Sequence, residues 1–326
     1  MLKRSHRLLL FPLLASALAA CDSANSPSSV YEYTTLGAYS ADISIDGQYA
    51  VIGSQEEGGS LWDIKKNARL FDWNHRKGER SIIAESGFSP EAGFAVTANQ
   101  QDLVLWHTLT GKPEWFWSSP GEILDLALSP QGDYALLGLG NHEAVYFDIK
   151  NGGVKRTLRH QGRVRGVDLS ADALTALTGS DDYKTTVWNL QSGEQLQQIT
   201  LDNIIDVVAL TPKGDKAFSA SNLDKAIIWD TKTGEVQQTL SGTDGFFPKR
   251  VSYVAARFSN SGEQLLTGTA AGLIQLWDSN TGKELNRWRA HKRDPYGPTS
   301  TSVYAVGFGS GEYFAIGSNG IMNILK

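Results

Sequence analysis

An aromatic residue ends one apolar run after another along this chain, and the interval between these residues varies little. The runs read "GSLWD", "LVLWH", "TTVWN", "IIWD" and "LIQLWD". The recurring positions, of which the last is the weakest match, are Trp62, Trp106, Phe147, Trp188, Trp229, Trp277 and Leu325. Successive gaps of 44, 41, 41, 41, 48 and 48 residues indicate a repeat architecture of seven units.

Each unit predicts four short strands. An apolar strand ends near Ser or Thr and leads into a tight turn, as in "LALSPQGD", and two further strands follow, the second of which ends in the aromatic residue. A turn such as "TGK" or "TGE" then precedes a fourth strand. Four short antiparallel strands per unit form the blade of a β-propeller. We therefore predict an all-β fold over residues 30–326, a seven-bladed propeller of four-stranded antiparallel blades.

The dipeptides, the period and the turns resemble those of the WD-repeat β-propeller family. The match is imperfect, since Phe147 replaces one Trp, His107 and Asn189 replace Asp, and the last unit "GIMNILK" has lost both residues. The resemblance implies that the N-terminal strand closes the ring. The seventh unit contains three strands, and "VYEYTTLG" (30–37) has the character of a fourth. Closure of this kind removes exposed sheet edges.

The resemblance also implies a structural role for the recurring aromatic residue. In the best-formed unit His160, Thr178, Asp182 and Trp188 match the hydrogen-bonded tetrad of the family. A buried Trp N–H needs an acceptor, and such a chain of side chains supplies one. We therefore interpret His160 and Asp182 as parts of the scaffold rather than of a catalytic triad.

The first residues predict export. "MLKRSHR" is basic, and an apolar run of 12 residues, too short to span a bilayer, leads to small residues. This is the layout of a secretory signal peptide, predicted at residues 1–20. "LAAC" resembles the lipobox of bacterial lipoproteins, which implies lipid attachment, palmitate included, at Cys21, the single cysteine. The alternatives are a buried N-terminal helix, or an ordinary cleavage site that leaves Cys21 free.

The residues after Cys21 predict a location in the cell envelope. Asp22 resembles the signal that retains enterobacterial lipoproteins in the inner membrane, which favours its periplasmic face, with the outer membrane as the alternative. The segment "DSANSPSS" is small and polar, so residues 21–29 are predicted to form the lipidated cysteine and a flexible tether. We expect this tether to leave from the face of the propeller at which the strand starting at Val30 begins.

The sequence contains no recognisable catalytic or metal-binding motif. The six histidines are scattered, and HExxH, CxxC and GxSxG are all missing. We therefore predict no enzyme activity, no metal and no cofactor. The formal net charge of −5 gives no case for nucleic-acid binding.

Surface loops are the predicted binding elements. Loops that join a fourth strand to the next unit share one side of a propeller, which we call the top face, and four of these loops are basic: 74–80, 159–165, 241–250 and 290–302. The last two are the longest, and they combine aromatic with basic residues, the composition of interface hot spots. The predicted partner-binding residues are Phe246, Phe247, Lys249, Arg250, His291, Lys292, Arg293 and Tyr296. The alternative is that these loops pack on themselves.

The predicted function is that of an exported, membrane-anchored, non-catalytic scaffold, monomeric by itself. Its top face would bind a protein or peptide of acidic and apolar character. One alternative is an assembly factor for envelope proteins. Another is a small-ligand binder or enzyme that uses the central channel, which would require ionisable side chains to converge from the first strands. Asp125, Asp168 and Asp206 lie there, although a structural repeat explains their period equally well.

Overall fold

The computed structural model describes residues 24–240, 251–297 and 300–326, and all regular secondary structure in these ranges is β-strand. Their 28 strands form seven separate four-stranded antiparallel sheets. The predicted all-β, seven-bladed propeller is therefore confirmed. No helix within the described ranges is long and apolar enough to cross a membrane.

Within each blade the strands follow one another from the channel outward. The first strand of the described ranges is β1 (Ser29–Glu32), which belongs to the last blade. Blade 1 contains β2 (Ala38–Ile43), β3 (Tyr49–Ser54), β4 (Gly58–Asp63) and β5 (Ala68–Trp73). Blade 2 contains β6 (Glu85–Phe88), β7 (Phe94–Ala98), β8 (Asp102–His107) and β9 (Pro113–Ser118). Blade 3 contains β10 (Ile123–Leu128), β11 (Tyr134–Leu139), β12 (Glu143–Asp148) and β13 (Val154–Arg159).

The remaining blades repeat this order. Blade 4 contains β14 (Val164–Leu169), β15 (Thr175–Ser180), β16 (Lys184–Asn189) and β17 (Gln195–Thr200). Blade 5 contains β18 (Ile205–Leu210), β19 (Lys216–Ser221), β20 (Ala226–Asp230) and β21 (Val236–Leu240). Blade 6 contains β22 (Tyr253–Phe258), β23 (Gln264–Thr269), β24 (Leu273–Asp278) and β25 (Glu284–Arg289). Blade 7 contains β26 (Val303–Phe308), β27 (Tyr313–Gly317), β28 (Ile321–Leu325) and, outermost, β1.

The first strands of successive blades contact one another around the ring, and β26 returns to β2. The apolar core lies between the blades, because each sheet buries both faces against its neighbours. Trp73, Trp229 and Trp288 are among its largest fully buried side chains. In most blades the fourth residue after the end of the first strand has a left-handed backbone conformation. Gly47, Gly132, Gly214 and Gly262 occupy it, and Ala92 and Ala173 adopt it with φ of 55° and 53°.

The N-terminal strand closes the ring, as predicted. Strand β1 pairs with β28 in antiparallel register from Ser29 opposite Ile324 to Glu32 opposite Ile321. Tyr33 follows directly and stacks on Trp62 of blade 1, with ring centroids 4.3 Å apart and planes inclined by 4°. The first residues of the propeller therefore join blade 7 to blade 1.

The predicted flexible tether at 21–29 is wrong for its second half. Asn25 donates its backbone N–H to Arg287 O and accepts from Arg289 N, both at 2.9 Å, so it lies parallel to the outer strand of blade 6. Ser28 N donates to Ile324 O at 2.8 Å. Asn25 lies on the rim beside Trp288, near the end of β25 that leads to the top face. Residues 1–23, with Cys21 and Asp22, lie outside the described ranges.

We predict that the Tyr33–Trp62 stack contributes strongly to stability. Tyr33 is buried, with 3% of its surface exposed, and truncating a buried aromatic side chain costs about 3 kcal/mol or more. Tyr33→Ala should therefore lower the urea midpoint of unfolding, measured by tryptophan fluorescence. The control is Tyr31→Ala, because Tyr31 is 38% exposed two residues earlier. Equal losses in the two variants would contradict this account of closure.

Candidate functional site

The tetrad side chains form one hydrogen-bonded chain in blade 4. His160 Nδ1 lies 3.1 Å from Asp182 Oδ2, His160 Nε2 lies 2.8 Å from Thr178 Oγ1, and Trp188 Nε1 donates to the same hydroxyl at 2.8 Å. Burial lowers the pKa of His160 by more than Asp182 raises it, so the imidazole is neutral at neutral pH. The side chains of His160 and Asp182 are only 2% and 6% exposed. This geometry is what a structural role requires, since no reactive atom faces solvent.

Blade 2 contains a second, incomplete chain of this kind, which the sequence reasoning missed. His75 Nε2 lies 3.0 Å from Thr97 Oγ1, and Trp106 Nε1 donates to Thr97 at 2.8 Å. Gln100 stands six residues before Trp106, where Asp182 stands before Trp188. His75 Nδ1 is buried and has no partner. The sequence did contain a signal, because His75 precedes Trp106 at nearly the same spacing as His160 precedes Trp188.

The first strands line a central cavity of about 400 Å³. In six of the seven blades a bulge interrupts the pairing of the first strand with the second. Bulges re-aim side chains. The ionisable residues that line the cavity are Asp42, Glu85, Asp125, Arg165, Asp168, Asp206 and Arg257. The convergence that the small-ligand alternative requires is therefore present.

Three of the channel aspartates connect neighbouring blades. Each accepts a hydrogen bond from a backbone N–H in the first strand of the next blade. The pairs are Asp42 with Phe88 N at 3.0 Å, Asp125 with Val167 N at 2.7 Å and Asp168 with Leu210 N at 2.7 Å. Arg257 donates across the channel to Asp42 and to Ile43 O. These bonds give Asp42, Asp125 and Asp168 a structural role between blades, whereas Asp206 accepts a hydrogen bond from Asn222 within its own blade.

Burial shifts the acidity of these carboxyl groups. It raises the pKa of Asp125 to about 7, although the N–H groups of Val167 and Leu126 act in the opposite direction. It raises the pKa of Asp168 to about 6. Burial, and then the charge of Asp125, raises the pKa of Glu85 well above its ordinary value. No group of three or more His, Cys, Asp or Glu side chains in the described ranges is arranged to hold a metal ion.

The predicted partner-binding residues fall into two groups. Phe246, Phe247, Lys249 and Arg250 lie outside the described ranges. His291, Lys292, Arg293 and Tyr296 are described, and Tyr296 is 97% exposed. The backbone of His291 is held by blade 7, since its N–H donates to Asn323 Oδ1 at 2.8 Å and its carbonyl accepts from Asn319 Nδ2 at 2.9 Å.

Arg293 makes contacts within the ring. Its guanidinium donates to Glu32 Oε1, Thr34 O and Asn319 O, each at 2.7 Å. The side chain that we predicted to bind a partner therefore joins the closing strand to blade 7. Glu32 and Thr34 lie more than 250 residues from Arg293 in sequence, and Asn319 lies 26 residues away. The loop sequence alone therefore did not indicate this role.

In loop 159–165 the predicted basic charge is neutralised by neighbouring carboxylates. Arg159 pairs with Glu143 at 2.7 Å, and Arg163 and Arg165 both pair with Asp181. The prediction counted only the loops after fourth strands. In an antiparallel blade the loop after the second strand reaches the same side, and those loops and strand ends supply the carboxylates.

This architecture defines a seven-bladed β-propeller, and the comparisons with known proteins agree. The family described as WD domain, G-beta repeat matches residues 152–189, which include the tetrad His and Trp. Eukaryotic translation initiation factor 3 subunit I of Aspergillus oryzae is 22% identical over 141 residues, which are 41% of this chain and 42% of that protein.

Two further similarities have the same character. WD repeat-containing protein SL1-17 of Schistosoma mansoni is 26% identical over 165 residues, 50% of this chain and 54% of that protein. Eukaryotic translation initiation factor 3 subunit I of Culex quinquefasciatus is 22% identical over 190 residues, 55% of this chain and 58% of that protein. The chain thus spans about half the length of the curated relatives that it matches. These similarities support the interpretation of the repeats as WD-type.

We predict that Arg293 stabilises the ring. Hydrogen bonds to charged groups contribute about 1.5–3 kcal/mol when well shielded. The Arg293 side chain is 40% exposed, and we therefore expect Arg293→Gln to lower the free energy of unfolding by about 1–2 kcal/mol after allowing for solvent screening. Lys292→Gln serves as the control in chemical denaturation. An unchanged stability of the Arg293 variant would restore this residue to the candidate binding surface.

We predict that Asp125 makes stability depend on pH. Its pKa is higher in the folded protein than in the unfolded chain, so between about pH 4 and pH 7 the folded state holds a proton that the unfolded chain has released. Stability from this group is full below pH 4 and is lost as pH rises through 7, by at most about 1.4 kcal/mol per pH unit.

The measurement is the free energy of unfolding of the wild type and Asp125→Asn from pH 4 to pH 8. The wild type should lose stability relative to the variant as pH rises. Glu91→Gln, on the exposed first turn of blade 2, is the control. His160, whose pKa is lowered by burial, makes stability rise with pH. This contribution is the same in all three proteins and cancels when they are compared. Parallel curves for wild type and Asp125→Asn would show that the carboxyl does not carry this proton.

Proposed function

We propose that this chain is an exported bacterial lipoprotein whose propeller acts as a non-catalytic protein-interaction scaffold at a membrane. The observation that carries the scaffold proposal is that the residues resembling catalytic groups are engaged in holding the fold. His160 and Asp182 bond within one blade, and Asp42, Asp125 and Asp168 bond between blades. We therefore assign recognition to the surface of the ring.

The anchor proposal rests on the sequence "LAAC" and on the basic and apolar residues before it. Cleavage after residue 20 would leave Cys21 as the lipidated N-terminus, and two or more acyl chains give stable membrane binding. Asp22 favours the periplasmic face of the inner membrane. The matched relatives are eukaryotic proteins and carry no argument for or against export.

The docked Asn25 supports a particular orientation for such an anchored protein. Only three residues separate Cys21 from Asn25, and four extended residue steps span at most about 14 Å. The acyl chains would therefore hold the rim at blade 6 close to the lipid surface. In this arrangement the propeller stands edge-on to the membrane, and both faces of the ring are accessible to partners.

The proposed partner-binding region is the top face near the loops 241–250 and 290–302. The exposed Tyr296 belongs to this region, as do the predicted residues Phe246, Phe247, Lys249 and Arg250. Aromatic side chains beside basic ones suit a partner with acidic and apolar character. Lys292 remains in this proposal, whereas Arg293 is assigned to ring closure.

Lipid attachment is tested by growing cells with an alkyne-bearing palmitate analogue. The wild type should be labelled, and Cys21→Ser should lose the label completely, because the thiol is the acceptor. Asp22→Ser is the matched control, since it should keep the label while its distribution between inner and outer membranes changes on a density gradient. Labelling of Cys21→Ser at the wild-type level would contradict the anchor.

Partner binding is tested by crosslinking in isolated membranes, comparing the wild type with the triple variant Phe246→Ala/Phe247→Ala/Arg250→Glu. A defined partner captured by the wild type and reduced at least tenfold in the variant would support the top-face site. The control is Lys150→Ala, on the opposite side of the ring. Capture of the same partners in equal amounts by all three proteins would overturn the proposal for this face.

A further inference from the structure

Outer strands of this propeller meet the next blade through a repeated contact. In each case one side chain of the fourth strand donates a hydrogen bond to a backbone carbonyl in the turn between the third and fourth strands of the following blade. Gln197 Nε2 donates to Lys232 O at 3.0 Å, and Gln238 Nε2 donates to Asn280 O at 2.7 Å. Arg156 donates to Gln191 O in the same way. These contacts join blades 3 to 4, 4 to 5 and 5 to 6.

Blade 1 meets blade 2 at the same place by apolar packing. A Cβ built on Gly111 would lie 2.4 Å from the ring of Phe71, so the glycine allows the ring to cover the turn. Glycines also face the donor side chains elsewhere, since a Cβ at Gly234 would lie 2.9 Å from Gln197 and one at Gly282 would lie 2.9 Å from Gln238.

The junction between blades 2 and 3 lacks this contact. Its fourth-strand residue is Trp115, which is 44% exposed. A Cβ built on Gly152 or Gly153 in the facing turn would meet nothing within 4 Å. No hydrogen bond joins the Trp115 indole to this turn in the part of the chain that the structure describes. The outer rim is therefore open between strand β9 and the turn at 149–153.

Strand β9 is also unusually apolar on its other face. Phe116 is 53% exposed. At the same register five of the six other outer strands carry polar residues, and β1 carries Val30; the polar residues are Asp72, Thr157, Gln198, Thr239 and Arg287. Outer strands of soluble proteins are normally protected against pairing by charges, especially lysine. Strand β9 has no Lys or Arg, and its single charge is the exposed Glu114, which has no ion-pair partner among the described residues.

We propose that the outer edge of blade 2, formed by Glu114, Trp115, Phe116 and the turn 149–153, binds an extended segment of a partner protein. The segment pairs with β9 as an added strand, fills the gap beside Trp115 with a bulky apolar side chain and presents an arginine or lysine to Glu114. The chain itself shows that a blade edge accepts such a segment, because Asn25 lies parallel to β25 and bonds its free edge through both its N–H and its carbonyl.

The chemistry of this edge favours a basic partner over a second copy of the chain. Three of the other inter-blade contacts are made by guanidinium or amide donors to turn carbonyls, and a basic segment can supply the donor that this junction lacks. A second copy that paired through β9 would bring another Glu114 and no basic residue. The site is separate from the top-face loops and does not rest on the function proposed for them.

The test uses three fluorescein-labelled ten-residue peptides, built from alternating Val–Arg, Val–Glu or Ser–Arg pairs. The Val–Arg peptide should bind the wild-type protein at least tenfold more tightly than either of the others in fluorescence anisotropy. Hydrogen exchange should show protection confined to residues 113–118 and 149–153. Trp115→Gln/Phe116→Thr, which reproduces the pair Gln238 and Thr239 of blade 5, should weaken binding at least tenfold.

The matched control is Gln238→Ala/Thr239→Ala, which should leave the affinity within about twofold. Should the double variant of blade 2 fail to fold, Glu114→Arg provides the second test, because it should invert the preference between the Val–Arg and Val–Glu peptides. The triple variant Phe246→Ala/Phe247→Ala/Arg250→Glu should bind the Val–Arg peptide as the wild type does, which separates this site from the top face.

Three outcomes would overturn the proposal. One is an affinity for the Val–Arg peptide that the blade 2 substitutions leave unchanged. Another is an absence of binding and of β9 protection at any peptide concentration tested. The third is a wild-type dimer in sedimentation velocity that Phe116→Thr converts to a monomer, since a second copy would then occupy the edge.

Discussion

The pairing of β1 with β28 determines whether seven blades can form a ring. Each blade buries both faces against its neighbours, so an unclosed array would leave two blades with an exposed apolar face. Strand β1 fills the missing edge of blade 7, Tyr33 stacks on blade 1, and Arg293 holds the end of the closing strand to the loop of blade 7. Asn25 extends the attachment to blade 6. Residues 25–33 are thus bound to three blades.

The inner side of the ring shows how packing creates an acidic channel without any need for catalysis. A carboxylate accepts a backbone N–H of the next blade better than a neutral side chain does, because bonds to charged acceptors are stronger. Repeating that link around an axis brings several carboxyl groups into a confined space, where burial raises the pKa values of Asp125 and Asp168. The N–H bonds favour the charged carboxylates, but burial opposes the charge more strongly, so the ring loses stability as Asp125 and Asp168 lose their protons.

The blades could be predicted from the sequence because they are local. The 41-residue period, the Trp positions and the turn residues all lie within one unit, and the Trp-to-hydroxyl bonds of Trp188, Trp229 and Trp277 span 10 residues each. Arg293 and Asn25 could not be assigned in this way, since their partners lie about 260 residues away and come near only when the ring closes. The charge predicted for loop 159–165 was wrong for a related reason, because opposite charges reach it from a loop and a strand end that the prediction had assigned to no face.

A repeat protein provides its own reference for every position, and this is the basis for judging which residues the scaffold needs. Five outer strands place a polar residue where β9 places Phe116, so packing at this register does not require an aromatic side chain. Three of the next-blade turns are capped by side-chain donors, and Phe71 covers a fourth, whereas Trp115 leaves its turn uncovered. A residue that exposes more apolar surface than its equivalents in the other blades lowers solubility and adds no buried contact to the core. Trp115 and Phe116 depart from their equivalents on the two opposite faces of β9. Contact with another molecule explains this pair better than folding does.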